Sequence, residues 1–157
     1  MKKLTVLMMA LACLLLTSAT VLAKAAPDEY LTGVNTQDAT IYGLAGEKPL
    51  YLNFWATWCP PCVGEMPAIE AMYQKYGDRI GFAAVSVDQD AETARSFIAQ
   101  RGFTMPVYTG DLQRLANDYM LDAIPRSILI ATDGSIIAEH VGGMRERDLE
   151  AFLSKAF

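Results

Sequence analysis

A strand-like run that stops at a pair of cysteines constrains this chain more than any other feature. Leu50-Tyr51-Leu52-Asn53-Phe54-Trp55 is apolar on both faces, the pattern of a strand covered on both sides. Pro49 opens it, and Ala56-Thr57-Trp58-Cys59-Pro60-Pro61-Cys62 follows. Ile69, Met72, Tyr73 and Tyr76 then recur at helical spacing, which predicts a helix over 59–76 with Gly77 just past its end. The cysteines therefore sit where a central strand turns into a helix. Unpaired backbone N–H groups and the positive end of the helix dipole meet there. Such a place stabilises a thiolate, so Cys59 is the candidate nucleophile. Cys62 lies one turn on, on the same side and deeper, and is the candidate resolving thiol.

Other chemistries use paired cysteines. A structural zinc site takes four ligands, and beyond the pair the chain offers one cysteine, Cys13, and one histidine, His140. Attachment of a c-type haem takes a histidine directly after the second cysteine, where Val63 stands. An inert disulfide across two residues stays open, although it restrains little chain. Dithiol–disulfide exchange fits the pair best. The eight methionines are scattered and suit core filling, so no metal site and no cofactor is expected.

The remaining pattern alternates strands with helices. Tyr30-Leu31 and Ala39-Thr40-Ile41-Tyr42 read as short edge strands, and 80–87 is a second continuous apolar strand. Asp88 and Asp90 offer N-caps for a helix over 91–101 that ends at Gly102. A short strand over 105–108 and a helix over 112–120, capped by Asp111, come next. Ile124-Pro125 opens an apolar strand through Ile130, and Asp133-Gly134 turns it into a return strand over 135–140. A last helix is expected over 145–155. This order is that of an α/β fold.

The 157-residue chain opens on Lys2, Lys3 and an apolar stretch over 4–23. Ala23-Lys24-Ala25 suits cleavage, so 1–25 reads as a signal peptide and 26–157 as one domain. The alternative is a retained membrane anchor through 4–23, which is long enough to span a bilayer. Either way the domain is expected outside the cytoplasm, in the periplasm or an equivalent space. The leader carries three of the 13 basic residues and none of the 18 acids, which leaves a net charge of −8 on 26–157. An acidic domain without a basic patch is a poor partner for nucleic acid.

Phe54-Trp55-Ala56, then Trp58-Cys59, then Pro61-Cys62, with Pro67 one to two turns on, resembles the active-site signature of the thioredoxin superfamily. The longer string from Asn53 to Cys62, followed by Glu65-Met66-Pro67, resembles the TlpA/ResA/CcmG-like branch of extracytoplasmic thiol–disulfide oxidoreductases. The resemblance covers about residues 30–157. It implies a thioredoxin-like fold, with a central mixed β-sheet flanked by helices and a TlpA-type helix–strand insertion between 88 and 124. It also implies reduction of disulfides in envelope proteins, for example in cytochrome c maturation, fed by a membrane electron donor of the DsbD/CcdA type. A disulfide-forming oxidant, or a soft-metal module holding copper between Cys59 and Cys62, are the alternatives.

Four further positions bear on mechanism. Glu65 lies one turn past Cys62, where a partly buried carboxylate can take its proton. The resemblance strengthens this reading, because ResA-like proteins carry a functional glutamate at the matching position. Asn53 stands where thioredoxins place a buried aspartate, and an asparagine cannot titrate. Pro125 matches the superfamily's cis-proline, which implies that the Ile124 backbone is offered to a substrate strand. Trp58 is expected to flank Cys59 and contact substrate, whereas Trp55 and His140 read as structural.

Overall fold

The computed structural model describes residues 24–157. The signal peptide or anchor expected within 1–25 lies outside the described residues, apart from Lys24 and Ala25. Among the described residues, seven strands and five α-helices follow in the order β1 (Tyr30–Gly33), β2 (Ala39–Thr40), α1 (Ile41–Ala45), β3 (Leu50–Trp55), α2 (Pro60–Tyr76), β4 (Gly81–Ser86), α3 (Ala91–Arg101), β5 (Val107–Gly110), α4 (Leu112–Asp118), β6 (Arg126–Ile130), β7 (Ile136–Val141) and α5 (Glu146–Leu153). A 3₁₀ turn, Ser154–Ala156, ends them.

The strands form one sheet in the order β2-β1-β5-β4-β3-β6-β7. β3 runs parallel to β4, from Leu50 beside Gly81 to Trp55 beside Ser86, and β4 runs parallel to β5. On its other side β3 is antiparallel to β6, which places Asn53 directly opposite Ser127. The sheet is therefore mixed, with β3 inside it, and the continuous apolar run of β3 is accounted for by cover on both faces.

Side chains of β3 alternate between two cores, as a strand of period two requires. Tyr51 and Trp55 point to one face and pack with Met66, Ile69 and Met72 of α2, Ile98 of α3 and Phe152 of α5. Leu50, Leu52 and Phe54 point to the other face and meet Leu31, Ile41, Leu115 and Tyr119. Large apolar side chains like these contribute about 1.5–3 kcal/mol each on full burial. Asn53 shares the first face and is buried between Tyr51 and Trp55.

The main departures from the sequence expectation have local causes. The edge strand expected over 39–42 stops at Thr40, whose Oγ1 accepts the Gly43 N–H at 3.0 Å and starts helix α1. The strand expected over 105–108 begins two residues later. The side-chain amide of Asn35 bonds the Met105 carbonyl and the Val107 N–H, standing in for a neighbouring strand there. Asp90 caps α3, but Asp88 turns back to the loop before Cys59. Helix α4 stops at Asp118, and Met120 takes a left-handed conformation with φ 48°.

Candidate active site

Cys59 is the N-cap residue of α2, and its Sγ accepts the Cys62 N–H at 3.3 Å. Pro60 and Pro61 fill the first helical positions and have no N–H to offer. Cys62 therefore supplies the first free donor of the helix, and that donor is aimed at sulfur. This is the local field that favours a thiolate at position 59 in the reduced protein. Asp88 holds the approach to it. Its carboxylate accepts the Thr57 N–H at 3.1 Å, the Thr57 hydroxyl at 2.8 Å and the Ser86 hydroxyl at 2.7 Å. Here Cys59 and Cys62 are joined as a disulfide. Cys59 keeps 5 % of its surface exposed and Cys62 1 %.

The Ile124–Pro125 peptide bond is cis, and the Ile124 carbonyl oxygen lies 3.9 Å from Cys59 Sγ. The Pro125 carbonyl accepts the Gly142 N–H at 2.8 Å. Trp58 is 67 % exposed beside the disulfide. With Val87, Leu112, Leu121 and Ile124 it lines a mostly apolar cleft of about 290 Å³, to which Asp122 adds a carboxylate.

Glu65 lies on the inner face of α2, one turn past Cys62, and is only 3 % exposed. Its Oε1 accepts from the Tyr51 hydroxyl at 3.3 Å and from Asn53 Nδ2 at 3.5 Å. Its Oε2 accepts the Met144 backbone N–H at 3.1 Å. Among the described residues, no cation forms an ion pair with it. Burial is the main effect on this carboxyl and raises it from its ordinary 4.5 to about 7, against the pull of the Met144 and Tyr51 donors. A carboxyl of that strength is matched to proton transfer near neutral pH. A second cavity, about 520 Å³ and lined by Pro61, Gly64, Glu65, Gly143 and Arg145, opens beside it.

The structure thus brings Cys59, Cys62, Trp58, Ile124 and Pro125 to one place and puts Glu65 and Asn53 behind them. His140 is apart, exposed on β7 with its ring 6.5 Å from that of Phe152. Tyr51, Ser127, the Met144 N–H and Asp88 also belong to the site, and sequence reasoning missed them. Tyr51 had one local signal, since two residues before Asn53 on a strand is the same face. Among the described residues, no group of three or more metal-ligating side chains gathers, and no helix is long and apolar enough to cross a membrane.

A family model described as Redoxin matches residues 22–153. Thiol-disulfide oxidoreductase ResA of Bacillus thuringiensis strain Al Hakam is 31 % identical over 135 residues, covering 85 % of this chain and 78 % of that one. Thioredoxin-like protein YneN of Bacillus subtilis strain 168 is 33 % identical over 128 residues, covering 80 % and 74 %. The crystal structure of a thiol:disulfide interchange protein of the thioredoxin family from Chlorobium tepidum TLS superposes with a TM-score of 0.76 at 26 % identity, over 88 % of this chain and 99 % of that one.

Proposed function

This chain belongs to the Redoxin family, and from that premise we propose that it is an exported reductant of protein disulfides working through Cys59 and Cys62. It is a thioredoxin-like thiol–disulfide oxidoreductase of the TlpA/ResA/CcmG-like type, and disulfide-containing proteins are its substrates. The observation that carries the mechanistic reading is the buried Glu65 one turn beyond Cys62, held by neutral donors.

In the reduced protein the Cys59 thiolate attacks one sulfur of a client disulfide, and the other client sulfur leaves as a thiolate. A mixed disulfide now joins the client to Cys59. Its backbone pairs with Ile124 at the cis-proline edge, and Trp58 and the adjoining cleft cover the bond. Cys62 gives its proton to the Glu65 carboxylate and attacks Cys59 Sγ. The second client sulfur is released, the client has gained two electrons, and the enzyme holds the Cys59–Cys62 disulfide. Another cycle takes two electrons from outside, which suits a membrane donor of the DsbD/CcdA type. The leader read in 1–25 supports export, and an envelope client such as an apocytochrome c suits that compartment.

Glu65→Gln tests the mechanism. Mixed-disulfide formation should keep its rate, because Cys59 depends on the helix start. Release should slow by ~10²-fold near neutral pH, the size of a lost general base, and should recover at high pH as Cys62 ionises unaided. Release that matches the parent protein across the pH range would remove Glu65 from the mechanism. Cys62→Ser should leave the client bound to Cys59, where mass spectrometry identifies it.

A further inference from the structure

We propose that Tyr51 is a positioning residue for the release step: through a one-way chain of hydrogen bonds its hydroxyl holds Glu65 as the carboxylate that takes the Cys62 proton. The inference rests on the reading of Glu65 as that base.

The chain has a direction. An ionised carboxylate only accepts hydrogen bonds, and an amide nitrogen only donates them. Tyr51 has one proton and sits 3.3 Å from Glu65 Oε1, so it donates there. Its oxygen is then free to accept the Ser127 hydroxyl proton at 2.9 Å. The Ser127 oxygen in turn accepts from Asn53 Nδ2 at 3.2 Å. Every donor points toward Glu65, and bonds aligned in this way polarise one another. All four side chains are buried, with no water-facing member to dilute the effect.

Secondary structure fixes the members. Tyr51 and Asn53 are two residues apart on β3, and Ser127 faces Asn53 across the antiparallel pairing with β6. The phenol remains a donor over the whole working range, because burial first and the Glu65 charge second push its ionisation well above the usual value. Other groups facing Glu65 are few. The loop before α5 contributes the Met144 N–H. Arg145 and Glu146 line the same cavity, and Arg145 is held by Asp148 at 2.9 Å. On its own helix the titratable neighbour is Cys62. Among the described residues, the one other donor to Oε1 besides the Tyr51 hydroxyl is the longer contact from Asn53.

Hydrogen bonds to the ionised form favour it. Removing the Tyr51 donor therefore leaves burial less opposed, and Glu65 becomes a weaker acid and spends less time as a base at neutral pH. The proton moved is that of Cys62, and Tyr51 keeps its own throughout.

The test follows client release from a preformed mixed disulfide against pH, in single turnovers. It compares the parent protein, Tyr51→Phe, Glu65→Gln, the double variant and Tyr51→3-fluorotyrosine. Tyr51→Phe should form the mixed disulfide normally, and the midpoint of its release profile should rise by about one pH unit, a tenfold loss on the acid side. The double variant should be no slower than Glu65→Gln alone. The fluorinated phenol is a stronger donor of the same shape and should move the midpoint down. That arm keeps the test decisive even where Tyr51→Phe folds poorly. An unmoved midpoint in both Tyr51 variants, with Glu65→Gln still slow, would overturn the inference and leave the role of Glu65 standing. Glu65→Gln indistinguishable from the parent would overturn that role itself.

Discussion

Each face of the sheet buries one glutamate, and the two are solved in opposite ways. On the α1 and α4 side, Glu29 is 6 % exposed and receives both Nε and Nη2 of Arg114, each at 3.0 Å. Its charge is met by a planar, bidentate cation that ties the start of the domain to α4. On the α2 and α5 side, Glu65 is as deeply buried but, among the described residues, its donors are all neutral: a phenol, an amide and a backbone N–H. A buried carboxylate facing a guanidinium serves as a fastener. One facing only neutral dipoles has its ionisation left poised, and that is a property chemistry can use.

The largest expected effect comes from removing the poised charge. Glu65 is raised from 4.5 to about 7 by burial. An acid raised by folding costs nothing below its unfolded value, where it is protonated in both states. The cost grows as pH rises through the window between the two values and is complete above the upper one. At about 1.4 kcal/mol per unit the full cost is roughly 3 kcal/mol. The parent protein should therefore lose stability from pH 4.5 to 7. Glu65→Gln should be more stable than it above pH 7, by up to about 3 kcal/mol, and equal to it in acid. Urea unfolding of the disulfide form at several pH values measures this, and equal stability at every pH would show that the carboxyl is not poised at all.

Breaking the fastener should behave differently. Glu29→Gln should lower the midpoint of thermal unfolding by about 2–4 °C, because Arg114 is free to turn to water. Client release should be untouched. Slower release in Glu29→Gln would erase the contrast between the two faces.

The smallest effect has the sign opposite to that of Glu29→Gln and calibrates the others. Gly64 is helical, with open space where a Cβ would stand. Gly64→Ala should stabilise the fold by about 0.5–1 kcal/mol with no change in the pH profile of release. A changed profile would mean that α2 itself, rather than Glu65, governs the step.

The sequence reading reached one of these glutamates and not the other. Glu65 stood out because one helical turn separates it from Cys62, a local relation, and because ResA-like proteins carry a glutamate at the matching position. Glu29 meets Arg114 across 85 residues, and nothing near either residue announces the pair. The same holds inside the active site. Trp58, Cys59 and Cys62 are contiguous and carry the family resemblance, and Pro125 matched by its context. Ser127 reaches Tyr51 and Asn53 only through the pairing of β3 with β6, and Tyr51 read simply as one member of an apolar strand. Elements of strong periodicity, β3, α2 and β4, were legible to within a residue or two. Single side chains set the rest: Thr40 starts α1, a helix the sequence reading did not expect, and Asn35 shifts β5 along by two residues.

The loop after β7 has a consequence for anyone who would move this site elsewhere. Gly142 bonds the Pro125 carbonyl, and two residues later the Met144 N–H bonds Glu65 Oε2. A side chain added at Gly143 would meet the Pro61 carbonyl at 3.3 Å and Glu65 Oε2 at 3.5 Å. The last donor to the buried acid is thus set by the length of the loop after β7 and by the two glycines that let it pass so close, Gly142 with φ 103° and Gly143 against Pro61. A graft of 53–67 onto another strand–helix junction would carry the sulfurs and the carboxylate but not this spacing. One residue inserted between Gly142 and Met144 would separate the same parts in the native chain without altering any catalytic side chain.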